Sequence, residues 1–338
     1  MHYSDYLQLD KILNAQQPES DRLQQPAHDE MLFIVIHQAY ELWFKQLLYE
    51  TESVIGILRQ PSVNDNSPEL QTIVHRLSRC STILKVLVHQ IDIMETMTPM
   101  DFLDFRDNLR PASGFQSVQF KVLEARLGLK YEHRFGQQYY LSQLRQPEVE
   151  TIQAMEKEPT LLELVNGWLE RMPFFSPEEG TGFWVDYRLR YQQSLAEAEK
   201  TNLGHFDTVF GLGLTDADGP DTGRSLSPAA CRSALFIMLY RGYPLLQLPF
   251  QVLNQLLEID EQLSTWRYRH MSMVHRIIGT RIGTGGSTGK DYLRSALDRH
   301  HLFKEVAGLT SYLIERRRLP VLNPEMEKRL GFAEGNAI

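Results

Sequence analysis

The stretch HDEMLFIVIHQAYELWFKQLLYETESVIGILR, from His28 to Arg59, decides the fold class. It holds no proline, its glycine comes late, at Gly56, and apolar residues fill most positions between Met31 and Leu48. The run therefore reads as one long helix. A helix apolar nearly all round is expected to be deeply buried.

Outward from this run the helical signals continue. Upstream lies a short segment around Tyr3 to Asn14. Downstream, Ser67-Pro68 reads as a cap followed by proline at the first helical position, opening a second long helix to about Glu95. Thr98-Pro99 repeats the device for a shorter helix through Asp107. Further helices are expected from Phe115 to Leu127, Leu161 to Met172, Pro177 to Lys200 and Pro228 to Arg241, with a last long one from about Phe250 to Ile278. No convincing series of alternating strands occurs, so the class is all-α, a bundle of long antiparallel helices. Phe210 to Ser225, rich in glycine and aspartate, reads as a loop. It could mark a weak boundary, but the flanking helices look like parts of one bundle, and residues 1–338 are expected to form a single domain.

Composition removes several functional classes. Hydrophobic residues make up 42% and charged residues 23% of 338, an ordinary balance for a chain that buries a core. With 43 acidic and 35 basic side chains the formal charge is −8, and no basic run is present that would neutralise a phosphate backbone, so nucleic acid is not an expected partner. Polar residues interrupt the start of the chain, and no segment offers an apolar transmembrane length, so a cytoplasmic protein with no membrane association is expected. Two cysteines, Cys80 and Cys231, outside any CxxC or CxxCH group, disfavour a disulfide framework, a structural zinc site and covalent haem. Any haem would be held non-covalently through an axial side chain.

Against that background a few residues carry chemical possibilities. His37 is an imidazole inside the greasy first helix, one turn after Phe33 on the same face. Its ordinary reading is a core histidine bonded to a neighbouring carbonyl; its functional reading is a cavity wall shared with Phe33. Phe102 and Arg106 share the same four-residue spacing, presenting a ring and a guanidinium that suit an aromatic ligand bearing a carboxylate. The alternative is a surface ion pair of Arg106 with Asp104 or Asp107. His270 and His275, in WRYRHMSMVHRIIG, lie five residues apart and on different helical faces, so at most one is a metal ligand. A single axial histidine for haem fits better than zinc, because nothing resembles HExxH, yet spacing does not rank the two. GTGGSTG, from Gly283 to Gly289, lacks the P-loop lysine in place and any preceding strand, and reads as a flexible substrate loop offering the Thr284 hydroxyl. Tyr3, Tyr6 and Leu7 form an apolar stripe able to dock on this chain or another subunit.

Taken together, YSDYLQLDKIL, the His28 run, MTPMDFLDFRDNLRPASGFQSVQF, WRYRHMSMVHRIIG and GTGGSTGKDYLR resemble the tryptophan 2,3-dioxygenase family over nearly the whole chain. The resemblance implies haem b, one per subunit, with His270 as the axial iron ligand and His275 structural. It implies that His37 hydrogen-bonds the indole N–H, that Phe33 packs on the indole and that Phe102 is an aromatic wall. Arg106 would hold the substrate carboxylate and Thr284 contact the ammonium, with Ser113 in a supporting place beside the haem. Some family members carry tyrosine where Phe102 stands, so that hydroxyl is absent here. Tyr3, Tyr6 and Leu7 match a segment, within residues 1–20, that closes over a neighbouring subunit's site in a homotetramer. The implied reaction is oxidative cleavage of the indole C2–C3 bond of L-tryptophan by O2 to N-formyl-L-kynurenine, the first step of the kynurenine pathway. The rivals are a haem oxygenase of the same fold acting on a modified tryptophan or tyrosine, and a non-enzymatic haem or oxygen sensor. A nucleotide-binding module built on the glycine loop is a more distant one.

Overall fold

Proline and hydroxyl caps set the helix starts. In this computed structural model, which describes residues 1–61, 63, 67–131, 134, 137–172, 174–175, 177–212, 224–281 and 300–331, short helices α1 (Tyr3–Leu7), α2 (Leu9–Leu13) and α3 (Glu19–Arg22) precede α4 (His28–Leu58). α5 (Pro68–Met94) starts where Ser67 Oγ accepts from the Leu70 amide. Thr98 opens α6 (Pro99–Arg106) with a reciprocal cap: its hydroxyl takes the Asp101 amide while Asp101 takes the Thr98 amide. α7 (Val118–Leu127), α8 (Gln137–Ser142), α9 (Gln146–Glu156), α10 (Leu161–Glu170), α11 (Pro177–Ser194), α12 (Asn202–Phe210) and α13 (Pro228–Leu239) follow. α14 (Pro244–Ile278), α15 (Lys304–Gly308) and α16 (Pro324–Arg329) complete the series. No strand occurs among the described residues, and the fold is all-α.

Three boundaries differ from expectation by three residues or more, and the first is α7, which begins at Val118 rather than Phe115, behind a separate 3-10 turn at Gly114–Gln116. α11 ends at Ser194 rather than Lys200, with a separate 3-10 turn at Glu197–Glu199. α14 begins at Pro244 rather than Phe250, because Pro244 starts the helix and Pro249 is accommodated inside it. The expected loop from Phe210 to Ser225 falls largely outside the described residues.

The chain groups into two compact units. The first comprises Met1–Tyr49, Cys80–Glu158 and Glu261–His301; the second comprises Glu50–Arg79, Pro159–Asp260 and Leu302–Ile338. α4, α5 and α14 each supply residues to both. In the first unit Ile36, Met94, Met97 and Phe105 are buried, and Phe33, Tyr40, Phe102 and Met273 pack against them. The second unit has an aromatic core including Trp184, Tyr187, Phe206 and Phe210. Its buried phenols find backbone partners: Tyr187 donates to Tyr312 O at 2.7 Å and Tyr240 to Pro320 O at 2.7 Å.

α4 is not deeply buried all round. Met31, Val35, Leu42 and Tyr49 are exposed, by 44% to 74%, so its outer apolar stripe is left uncovered by the described part of the chain. Val35, Leu42 and Tyr49 recur every seven residues, which keeps them on one face.

Candidate active site

α4, α6, α7 and α14 line a cavity of about 310 Å³ within the first unit. From α4 come Phe33 and His37, one above the other, with ring centroids 4.1 Å apart. His37 is open to water in the cavity yet densely surrounded by protein. Its Nδ1 lies 2.7 Å from the Phe33 carbonyl oxygen, which only accepts, so Nδ1 carries the proton. In the neutral ring Nε2 is left as an acceptor. Burial lowers the His37 pKa below the ordinary imidazole value, against the Phe33 carbonyl bond and the Glu41 charge, which raise it. Neutral imidazole with an available lone pair is the favoured state at neutral pH.

α6 brings Phe102 and Arg106 to the same cavity. Phe102 lies 5.8 Å from Phe33 and meets Phe105 edge-on at 5.4 Å, while Phe105 is edge-on to Phe33 at 5.6 Å. Each such pair contributes about 0.5–1.5 kcal/mol beyond its area, enough to fix the ring wall. Arg106 is 5% exposed, so the surface ion-pair alternative for it falls; Asp107 instead takes Arg110 at 3.2 Å. Ser113 lines the cavity and caps a 3-10 turn at Gly114–Gln116, accepting from the Phe115 amide at 3.3 Å.

α14 separates the two histidines that spacing left unranked. His270 lines the cavity, and His275 is exposed and does not. The His270 ring stacks parallel on Trp266 at 5.2 Å and makes no hydrogen bond among the described residues. Burial, and repulsion from the His37 ring once that is protonated, push its pKa down to about 4, so at neutral pH it too is a neutral nitrogen donor. No group of three His, Cys, Asp or Glu side chains able to hold a metal ion occurs among the described residues.

Other expected site residues are not brought there. Thr284 lies outside the described residues. Tyr3 and Tyr6 are each 71% exposed on α1, and with Leu7 they are absent from the cavity wall. Sequence reading missed a charged part of the wall: Lys121, Glu124, Arg134 and Arg267. The available signal was the α7 spacing of Ser117, Lys121 and Glu124, which places polar side chains on one helical face.

The sequence profile of the family described as Tryptophan 2,3-dioxygenase matches residues 1–208 and 215–313. A tryptophan 2,3-dioxygenase of Alteromonas mediterranea is 42% identical over 98% of this chain and 97% of its own length. One from Xenopus laevis is 44% identical, covering 98% of this chain and 87% of the relative. One from Dictyostelium discoideum is 41% identical, covering 98% and 88%. With similarity of this extent, and a cavity that joins His37, Arg106 and His270, the chain belongs to the tryptophan 2,3-dioxygenase family.

Proposed function

We propose that this cavity binds haem b through His270 and holds L-tryptophan between Phe33, His37 and Arg106, and that the chain cleaves the indole C2–C3 bond to give N-formyl-L-kynurenine. One observation carries the reading: two imidazoles on different helices line one cavity, and an aromatic wall and a buried guanidinium line it with them. The residues fit haem. His270 offers a nitrogen uncommitted to any described hydrogen-bond partner, the neighbouring walls include Met94, Met273, Val274 and Ile277, and a single axial ligand needs no cluster of metal-binding side chains.

Haem, when bound, supplies the oxygen chemistry by which both atoms of O2 enter the product. The protein's part is orientation. Phe33 and Phe102 give the indole a flat apolar wall, and Arg106 takes the carboxylate through a charge-assisted contact. His37 accepts the indole N–H at Nε2. An indole N–H is a poor acid, so His37 acts as a positioning acceptor rather than an obligatory base. Apolar walls exclude competing water, and holding the substrate at both ends converts binding energy into alignment. Thr284 is read as the partner of the ammonium group and Ser113 as a supporting residue beside the haem.

We read residues 1–338 as one domain, since three of the five divisions between the two units, at Tyr49, Arg79 and Asp260, fall inside helices. A homotetramer is the proposed assembly, supported by the exposed α4 stripe and the exposed tyrosines of α1; the latter are proposed to close over a neighbouring subunit's site. The protein is read as cytoplasmic, and no helix among the described residues is long and apolar enough to cross a membrane.

The test is ligation. His270→Ala is expected to abolish ordinary haem incorporation or shift the haem absorption spectrum strongly, and His275→Ala to leave both unchanged. Loss of the axial ligand in the His275 variant alone would overturn the assignment.

A further inference from the structure

The cavity has a charged region that the tryptophan grip does not use. Lys121, Glu124, Arg134 and Arg267 line it, yet only 6%, 5%, 4% and 4% of their surfaces are exposed. Glu124, on α7, is the hub. Its Oε1 accepts from Arg267 Nη2 at 2.7 Å and its Oε2 from Arg134 Nη1 at 2.6 Å. Each guanidinium also holds a backbone carbonyl: Arg267 Nη1 donates to His300 O at 3.0 Å, and Arg134 Nη2 to Lys121 O at 3.1 Å. Tyr140 packs beneath two of the cations, with Arg134 Cζ 3.9 Å and Lys121 Nζ 4.5 Å from its ring centroid.

Buried ions are a poor source of net stability, because desolvation consumes most of their attraction; their best-attested use is to fix register. The register here concerns α14. Arg267 stands three residues before His270 on that helix, and Trp266, beside it, stacks parallel on the His270 ring. A guanidinium fork held at both ends leaves its helical turn little freedom to rotate or slide.

We propose that Glu124 is a positioning residue for His270: by clamping Arg267 against α7, it sets the rotation and height of the α14 turn from which His270 enters the cavity. The consequence for the reaction rests on His270 being the axial ligand. The positioning itself is a property of the chain without haem. A ligand needs its geometry held within about 0.5 Å and 10–20°, which a loose helical turn does not provide.

The control is a comparable pair elsewhere, Glu50 with Arg79 at 2.7 Å, in which the Glu50 side chain is 4% exposed and neither residue touches the cavity. Three variants separate positioning from general destabilisation. Glu124→Gln removes the charge at the hub. Arg267→Lys keeps the charge balance but gives up the fork that reaches both Glu124 and His300, so it serves as the milder change. Glu50→Gln damages a pair away from the site in which the carboxylate is buried and Arg79 is 45% exposed.

Amide hydrogen exchange is measured on the haem-free chains. The iron–histidine stretch is measured by resonance Raman on reduced, haem-loaded protein, and kcat and KM on the same material. In both cluster variants the amides of residues 266–273 are expected to exchange about tenfold faster, with a displaced or broadened iron–histidine band. kcat should fall roughly tenfold to a hundredfold, with KM for tryptophan nearly unchanged, because Phe33, Phe102 and Arg106 stand on other helices. Glu50→Gln should lower the melting temperature and move none of these. Wild-type exchange and band in both folded cluster variants would overturn the proposal, as would the same changes in Glu50→Gln. Haem retained normally by His270→Ala would overturn the cofactor reading instead, and the exchange comparison on haem-free chains would still decide whether Glu124 holds this turn.

Discussion

At the scale of single residues the account turns on which nitrogen of which histidine is available. Because His37 Nδ1 is committed to the Phe33 carbonyl, Nε2 is left as the acceptor, and under the role proposed for His37 a substrate without an indole N–H would lose that bond. L-Tryptophan should therefore be preferred over its N1-methyl analogue, and the preference should shrink in His37→Ala. An undiminished preference in that variant would contradict the acceptor role. The depressed His37 pKa gives the pH dependence its sign: the ring stays neutral on entering the ordinary imidazole range from above. KM for tryptophan should stay level from pH 8 down to about 6.5 and rise only below that; a rise already complete near neutrality would contradict it. Arg106→Ala should cost about 1.5–3 kcal/mol of tryptophan binding, read as a KM increase of roughly ten- to a hundredfold. Unchanged KM and kcat would remove Arg106 from the site. Phe33 with His37, and Phe102 with Arg106, were legible in the sequence as pairs because helical spacing stacks residues four apart. The choice between His270 and His275 was not, since both lie in one helix among arginines and only packing shows which side faces the cavity.

At the scale of elements, helix starts were the most legible feature, because Ser67-Pro68, Thr98-Pro99 and Ser227-Pro228 each combine a side-chain cap with a pre-set backbone angle. α9 and α12 escaped notice because the residue before each makes no side-chain oxygen cap: α9 begins behind Arg145, whose amide is taken by Glu148 Oε2 at 2.8 Å, and α12 behind Thr201, whose hydroxyl caps nothing. α6 shows what a cap does for a site. Thr98→Ala should lower stability by about 1 kcal/mol and raise KM for tryptophan modestly, because Phe102 and Arg106 ride on that short helix. Thermal melts and KM check both parts, and no change in either would show α6 to be held by packing alone. α7 and α14 meet through Glu124. Burial pushes this carboxyl up, but Arg134 and Arg267, with His300, outweigh it and hold it at about 2, against an ordinary 4.5. A group whose folded pKa is depressed contributes stability above its unfolded pKa and loses it as pH falls through the folded one. The contribution is about 3 kcal/mol, lost between roughly pH 4.5 and 2. Urea midpoints of the wild-type chain should fall faster with acid over that window than those of Glu124→Gln; parallel curves would contradict the charge cluster.

At the scale of the whole molecule, composition and helix count were enough for an all-α fold, but no pattern in one chain says what covers its outer apolar residues. The His28 run is apolar nearly all round, yet Val35, Leu42 and Tyr49 face out, and Tyr3 and Tyr6 stand clear of the cavity. Periodicity reports which faces are apolar and not which neighbour buries them. Exchange of the first residues between subunits has a direct test. A chain lacking residues 1–20 and a full-length His270→Ala chain should each be nearly inactive alone and regain activity when assembled together, since the first keeps a complete haem ligand and the second a complete N-terminal segment. No recovery in mixed assemblies would contradict the exchange. The reaction itself is the central claim, and one measurement addresses it most directly. Haem-loaded protein is reduced without oxygen, given L-tryptophan and then doubly labelled O2, and the product is weighed by mass spectrometry. N-formyl-L-kynurenine carrying both labelled oxygen atoms is the predicted result; unreacted tryptophan, or a product with one labelled atom, would contradict the account.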